Sequence, residues 1–131
     1  MTINDLNILM REIMLKGTKV FAIDCWKLCS KLPKTREYNA YVNQLIRCSS
    51  SVAANYRASQ RAKSAADFIY KLKIVEEEAD ESQFFLELLT EFTSEEIPFL
   101  QLDLKNLCQQ ANEIVAIIVS SIKTVKQRNP K

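Results

Sequence analysis

Residues 64–92 read SAADFIYKLKIVEEEADESQFFLELLTEF. Phe68, Leu72, Val75, Ala79, Ser82, Leu86 and Leu89 recur at alternating four- and three-residue steps. That spacing lines side chains along one face of an α-helix. Ile69, Phe84, Phe85, Leu88 and Phe92 form a second apolar stripe beside the first. Ser64 and Asp67 have the Ser-x-x-acid spacing of a helix start. No Gly or Pro breaks the run before Pro98.

Working outward, three more segments keep the same period. A first helix is expected from about Asp5 to Lys31, with Met14, Phe21, Cys25, Leu28 and Leu32 facing the core and Leu6, Met10 and Ile13 continuing that face. Gly17 interrupts it, at a cost of about 1 kcal/mol against Ala, which suggests a close helix approach there. Pro33 closes the segment. A second helix is expected from an N-cap at Thr35 to about Gln60, with Tyr38, Tyr41, Leu45, Cys48, Val52 and Tyr56 in register. The small residues among Ser49–Ala54 suit tight helix packing. A fourth helix is expected from about Leu100 to Lys126, on Leu104, Leu107, Ala111, Ile114, Ile118 and Val125. Residues 127–131 are expected to form a frayed basic tail. Short connections make successive helices antiparallel. The fold class is therefore all-α, an up-down-up-down four-helix bundle in one domain.

Composition agrees. The chain has 131 residues, one Gly, three Pro, 47% hydrophobic and 26% charged residues, a globular composition too poor in turn formers for a β fold. Histidine is absent, which removes the commonest acid/base group and metal ligand near neutral pH. No Gly-rich phosphate loop or nucleophile–base set stands in its place, so an enzyme is not expected. No segment reads as a signal peptide or a membrane span. Cys25, Cys29, Cys48 and Cys108 fall within helical patterns. They read as reduced core thiols of a cytoplasmic protein.

Part of this pattern resembles a known family. Gln44-Leu45-Ile46-Arg47, Ser51-Val52-Ala53-Ala54-Asn55, the basic residues Arg57, Arg61 and Lys63, Phe68-Ile69-Tyr70-Lys71-Leu72 and the acidic run Glu77–Glu81 follow one another in Tyr41–Leu89. This stretch resembles the bacterial four helix bundle protein family. Its members include proteins encoded in intervening sequences of 23S rRNA genes. The accessory variability determinant of diversity-generating retroelements is a relative. Arg57-Ala58-Ser59 departs from the Ala-Glu-Gly that many members carry. The resemblance implies a homopentameric ring. By way of the retroelement relative, it also implies nucleic acid as a partner, and a reverse transcriptase where the genomic setting fits.

Charge is unevenly spread. Residues 1–75 hold 13 basic and 5 acidic residues, and residues 76–131 hold 5 and 11. Arg47, Arg57, Arg61, Lys63, Lys71 and Lys73 gather around the corner between the second and third helices. Such clusters bind phosphate by charge and forked hydrogen bonds. Tyr56 and Tyr70 are candidates for stacking on bases. The competing reading is a solvated face, or pairing with Glu76–Glu81 of a neighbouring subunit. Arg47, on a mostly apolar helix, is expected to pair with Glu77 or Glu81 within the bundle. Asn55, Ser64 and Asp67 are expected to shape the corner. The acidic run is not expected to bind metal, because bundle sites of that kind pair Glu with His, and no cofactor is expected. Trp26 and the all-round apolar run Ile114, Val115, Ile117, Ile118 and Val119 are expected to form a subunit interface.

The functional expectation is a non-enzymatic, self-assembling scaffold or adaptor that binds RNA or DNA through the basic corner. The alternative is a pure protein–protein module, with charge pairing between subunits or to an acidic partner.

Overall fold

A computed structural model describes residues 1–130. Four helices run α1 (Ile3–Cys29), α2 (Arg36–Ser59), α3 (Ala65–Thr93) and α4 (Gln101–Arg128), with a 3-10 turn at Pro98–Leu100 before α4. Among the described residues there is no strand. The architecture is the expected four-helix bundle, with α3 packed along both α2 and α4, α1 leaning mainly on α2, and α1 touching α4 least.

The caps explain where the helices start. The Thr35 hydroxyl accepts from the Tyr38 amide at 3.2 Å and opens α2. Ser64 does the same for α3, accepting from the Asp67 amide at 3.0 Å. The start of α1 lies earlier than the spacing suggested. Thr2 and Asp5 form a reciprocal capping box: the Asp5 amide donates to the Thr2 hydroxyl at 3.2 Å, and the Thr2 amide to the Asp5 carboxylate at 3.0 Å. Each such cap satisfies backbone donors that a helix start leaves free. At the other end, α4 continues through Arg128, so residues 127 and 128 of the expected tail are helical. Residue 131 lies outside the described residues.

The core is the four stripes brought together. Phe21, Cys25, Leu45, Cys48, Val52, Leu72, Val75, Ala79, Leu86, Leu89, Leu104 and Ile118 are all fully enclosed. No buried side-chain nitrogen or oxygen among the described residues lacks a hydrogen-bond partner. Cys25, Cys29 and Cys48 are buried and Cys108 is half-buried. Desolvation pushes the Cys25 thiol far up, and raises Cys29 to about 11.

Three expectations for α1 and α2 are corrected. Leu6, Met10 and Ile13 do not extend the core face. They are 48%, 48% and 52% exposed, because core contact along α1 begins only at Met14. Gly17 marks no close approach, since a Cβ built on it meets nothing within 4 Å. Of the small residues in α2, Ser49 is buried, but Ser50 and Ala54 are exposed. They form surface relief rather than helix seams.

Two outcomes follow from this packing. Gly17→Ala stabilises the protein by about 1 kcal/mol, because the helix gains propensity with no steric conflict. Chemical denaturation checks this, and a destabilised variant would mean that something crowds Gly17. Under native conditions an aromatic disulfide reagent modifies Cys108 ahead of Cys25, Cys29 and Cys48, whose thiols stay protonated and covered until unfolding. Mass mapping of the first labelled cysteine tests the order.

Candidate nucleic-acid interface

The α2–α3 turn collects the basic residues, and the structure separates those tied to carboxylates from those without such a partner. Arg47 is tied. Its two terminal nitrogens reach Glu78 at 3.2 Å and Glu81 at 2.6 Å, and its Nε donates to Gln44 at 3.3 Å. The Glu81 hydrogen bond, then the Glu78 charge, raise the Arg47 pKa further. The pairing with Glu81 follows the sequence expectation, whereas Glu78 takes the place of Glu77. The group lies half-exposed on the α2–α3 surface, not inside the bundle. Lys71 is tied as well, with its ammonium 2.7 Å from Asp67 one turn earlier. That hydrogen bond, then the one from the Lys63 amide, hold the Asp67 carboxyl below the usual carboxylate range.

Arg57, Arg61, Lys63 and Lys73 are exposed, and among the described residues none of their side chains meets a carboxylate. Two clefts carry this charge. One, of about 400 Å³, lies between α2 and α3 and is lined by Ala54, Arg57, Ala58, Arg61 and Lys71. The other, of about 460 Å³, lies between α1 and α2 and is lined by Leu15, Lys19, Ala22, Ser50, Ala53, Ala54 and Arg57. They share Ala54 and Arg57, which stand on the exposed side of α2, so the two clefts flank that helix and make one basic surface. Apart from Leu15, their lining is small side chains together with Lys19, Arg57, Arg61 and Lys71. Among the described residues, no carboxylate lines either cleft.

Lys19 is a residue that the sequence reading missed. Counting the same distance to either side of the Pro33–Lys34 turn sets it opposite Cys48, close to the Ser50 and Ala53 that it flanks in the cleft, a signal available once α1 and α2 are taken as antiparallel. Arg11 and Arg128 were also missed. They line a further hollow at this end of the bundle, where the first turns of α1 lie beside the last turns of α4.

The other candidates divide. Tyr70 is 64% exposed, but Tyr56 is 8% exposed and packed in the core, so it offers no face for stacking. Asn55 does not bridge the corner. Its amide donates back one turn within α2, to the Ser51 carbonyl at 3.0 Å and the Ser51 hydroxyl at 2.8 Å. Ser64 and Asp67 do shape the corner, through the Ser64 cap and the Lys63 amide, which donates to Asp67 at 3.0 Å.

The proposed interface run on α4 splits by its own helical period. Ile114 and Ile118 are 7% and 0% exposed and belong to the bundle core. Val115 and Ile117 are half-buried, and Val119 is exposed. Trp26 is 60% exposed. A larger apolar surface lies on α1, where Leu6, Leu9, Ile13, Val20 and Ile23 are all exposed. Their three-, four- and seven-residue steps put them on one side of the helix, away from the Met14–Leu28 core face. No group of three or more acidic or cysteine side chains among the described residues is arranged to hold a metal ion. No helix among them is long and apolar enough to cross a membrane.

Comparison with known proteins extends the picture. No curated protein matches the chain. A solved structure from Bacteroides thetaiotaomicron VPI-5482, described as a protein with unknown function from the S23 ribosomal protein family, is similar. The two share 28% identity over 84% of this chain and 98% of that one, with a TM-score of 0.73. The model of the 23S rRNA-intervening sequence protein family matches residues 12–120. That span takes in most of α1, all of α2 and α3 and most of α4, and on it the chain belongs to the 23S rRNA-intervening sequence protein family.

Proposed function

We propose that this protein is a non-enzymatic, cytoplasmic scaffold or adaptor that assembles with itself and binds RNA or DNA along the basic surface. The observation that carries the reading is the pair of basic clefts on the two flanks of α2. Arg57, Arg61 and Lys19 line them without carboxylate partners among the described residues, beside Ala and Ser side chains small enough to let a phosphate backbone come close. Phosphate contacts of this kind give affinity without sequence preference, and the affinity falls steeply with salt. Tyr56 is withdrawn into the core, which leaves Tyr70 as the remaining stacking candidate and makes backbone contact the main term.

Self-assembly is supported by the exposed α1 stripe. An apolar face of this length, left open on one chain, marks an interaction surface. Five copies, the number that the family resemblance implies, would repeat the basic surface around a ring and add weak contacts together. The pure protein-module reading keeps one support: Glu77 and Asp80 on α3 are exposed, and a neighbour's basic surface would satisfy them.

A titration with structured RNA and with duplex DNA, at two salt concentrations, separates the readings. Replacing Arg57, Arg61 and Lys63 together by Glu lowers affinity by about tenfold or more at low salt, and flattens the salt dependence by about one unit of slope per lost phosphate contact. Helical content stays unchanged, since all three side chains are exposed. Unaltered binding in the triple variant, or no binding by the native protein, leaves the protein-module reading standing instead.

Light scattering tests assembly separately. The native protein is an oligomer at micromolar concentration, and Ile13→Glu with Ile23→Glu shifts it toward the monomer. A native monomer at that concentration overturns the assembly.

A further inference from the structure

The opposite end of the bundle from the α2–α3 turn holds a cleft of different chemistry. It opens between the start of α2 and the end of α3, with a volume of about 400 Å³, and is lined by Glu37, Tyr38, Tyr41, Phe92 and Glu96. The rings are held against one another. Tyr41 meets Phe92 edge-on with centroids 5.1 Å apart, and Phe85 behind it at 6.2 Å. The Tyr38 hydroxyl lies 3.4 Å from the Phe92 carbonyl, to which it donates. Phe92 nevertheless remains 42% exposed, an aromatic face left open at the mouth.

Two attractions for a cation converge here. Aromatic faces present the negative part of the ring quadrupole, and a cation over them is held without a formal ion pair. Glu37 and Glu96 add full negative charge at the rim. After desolvation, the nearby Glu96 charge is what pushes the Tyr38 phenol above its ordinary value. Among the described residues Glu37 pairs only with its neighbour Arg36, at 3.0 Å, and the Arg36 and Glu37 side chains are 94% and 69% exposed. Such a pair is too solvated to compete strongly with an incoming cation. An apolar guest would strip water from two carboxylates and return nothing for it. A planar guanidinium stacks on rings and bonds to carboxylates at the same time.

We propose that this cleft binds the cationic end of an arginine or lysine side chain from a protein partner. The proposal stands on the cleft alone and does not depend on nucleic-acid binding. A basic protein segment here and a phosphate backbone on the basic surface would occupy opposite ends of one bundle, so both fit one molecule together.

The test is a titration of the full chain, followed by NMR of its aromatic side chains, with N-acetyl-arginine amide, N-acetyl-lysine amide and N-acetyl-leucine amide. The two cationic amides shift the Tyr38, Tyr41 and Phe92 ring signals in a saturable way, and the leucine amide does not. Glu96→Gln weakens arginine-amide binding by about threefold, and Tyr41→Leu by a similar factor. Glu96 is exposed, so Glu96→Gln keeps the fold and remains decisive even if Tyr41→Leu disturbs packing. Equal shifts with the leucine amide would make the cleft an ordinary apolar groove and overturn the proposal. So would cation shifts spread over the surface, no cation shifts at all, or unchanged affinity in Glu96→Gln.

Discussion

The stripe Leu72, Val75, Ala79, Ser82, Leu86 and Leu89 of α3 is in contact with helices on two sides at once, and every member is at most 1% exposed. Because α3 packs on both α2 and α4, the seam as a whole ties their positions together. Its centre is small. Ala79 and Ser82 let the neighbouring helices close in, and the Ser82 hydroxyl is not left unpaired by that closeness. It lies 2.8 Å from the Glu78 carbonyl and 3.1 Å from the Cys48 sulfur. A polar group in a dry seam is tolerated only when it is satisfied in this way. With α2, α3 and α4 set by one seam, α1 is the remaining helix. It packs chiefly on α2 and leaves an apolar side outward.

This arrangement distributes chemistry along the α2–α3 face. Near the α2–α3 turn, the small residues of α2 line the clefts beside the cations. In the middle, Arg47 and its two carboxylates cancel one another. Toward the far end, Tyr38, Tyr41, Phe85 and Phe92 pack as a band with acidic residues beside them. The asymmetry in charge between the two halves of the chain is thus partly spent inside the subunit. The pairs Arg47–Glu81 and Lys31–Asp103 join the two halves, while Lys71–Asp67 ties up a cation within the first.

The fold was legible because it rests on local rules. A three-and-four spacing and the N-cap residues Thr35 and Ser64 are properties of neighbouring residues, and they placed all four helices to within two or three residues. What was not legible depended on which neighbour a face meets. Leu6, Met10 and Ile13 are spaced like a core stripe, and nothing in α1 itself says that burial starts only at Met14. The Ser49–Ala54 small residues fit a helix seam as well as a cleft lining, and only the position of α1 decides. Tyr56 lies in the same register as Val52 and was buried for that reason. Its period was a better guide than its ring chemistry. Ile114 and Ile118 point inward because they continue the Leu107–Ala111 stripe. Reading the whole run as apolar all round hid the fact that its sides have different fates.

The Arg47 fork has a consequence for alignment. Greasy seams of Leu, Val and Ala tolerate sliding, since one turn along a helix replaces one aliphatic side chain by another of similar shape. A slip of α2 by one turn moves it about 5.4 Å along α3. Leu45 and Val52 would then find other apolar neighbours at small cost. Arg47 could no longer bridge Glu78 and Glu81 at once, and Cys48 would leave the Ser82 hydroxyl. The ion pair is half-exposed, so its contribution to overall stability is modest. Its larger effect is on degeneracy: it separates the native register from its nearest competitors, as a single polar position does in coiled coils.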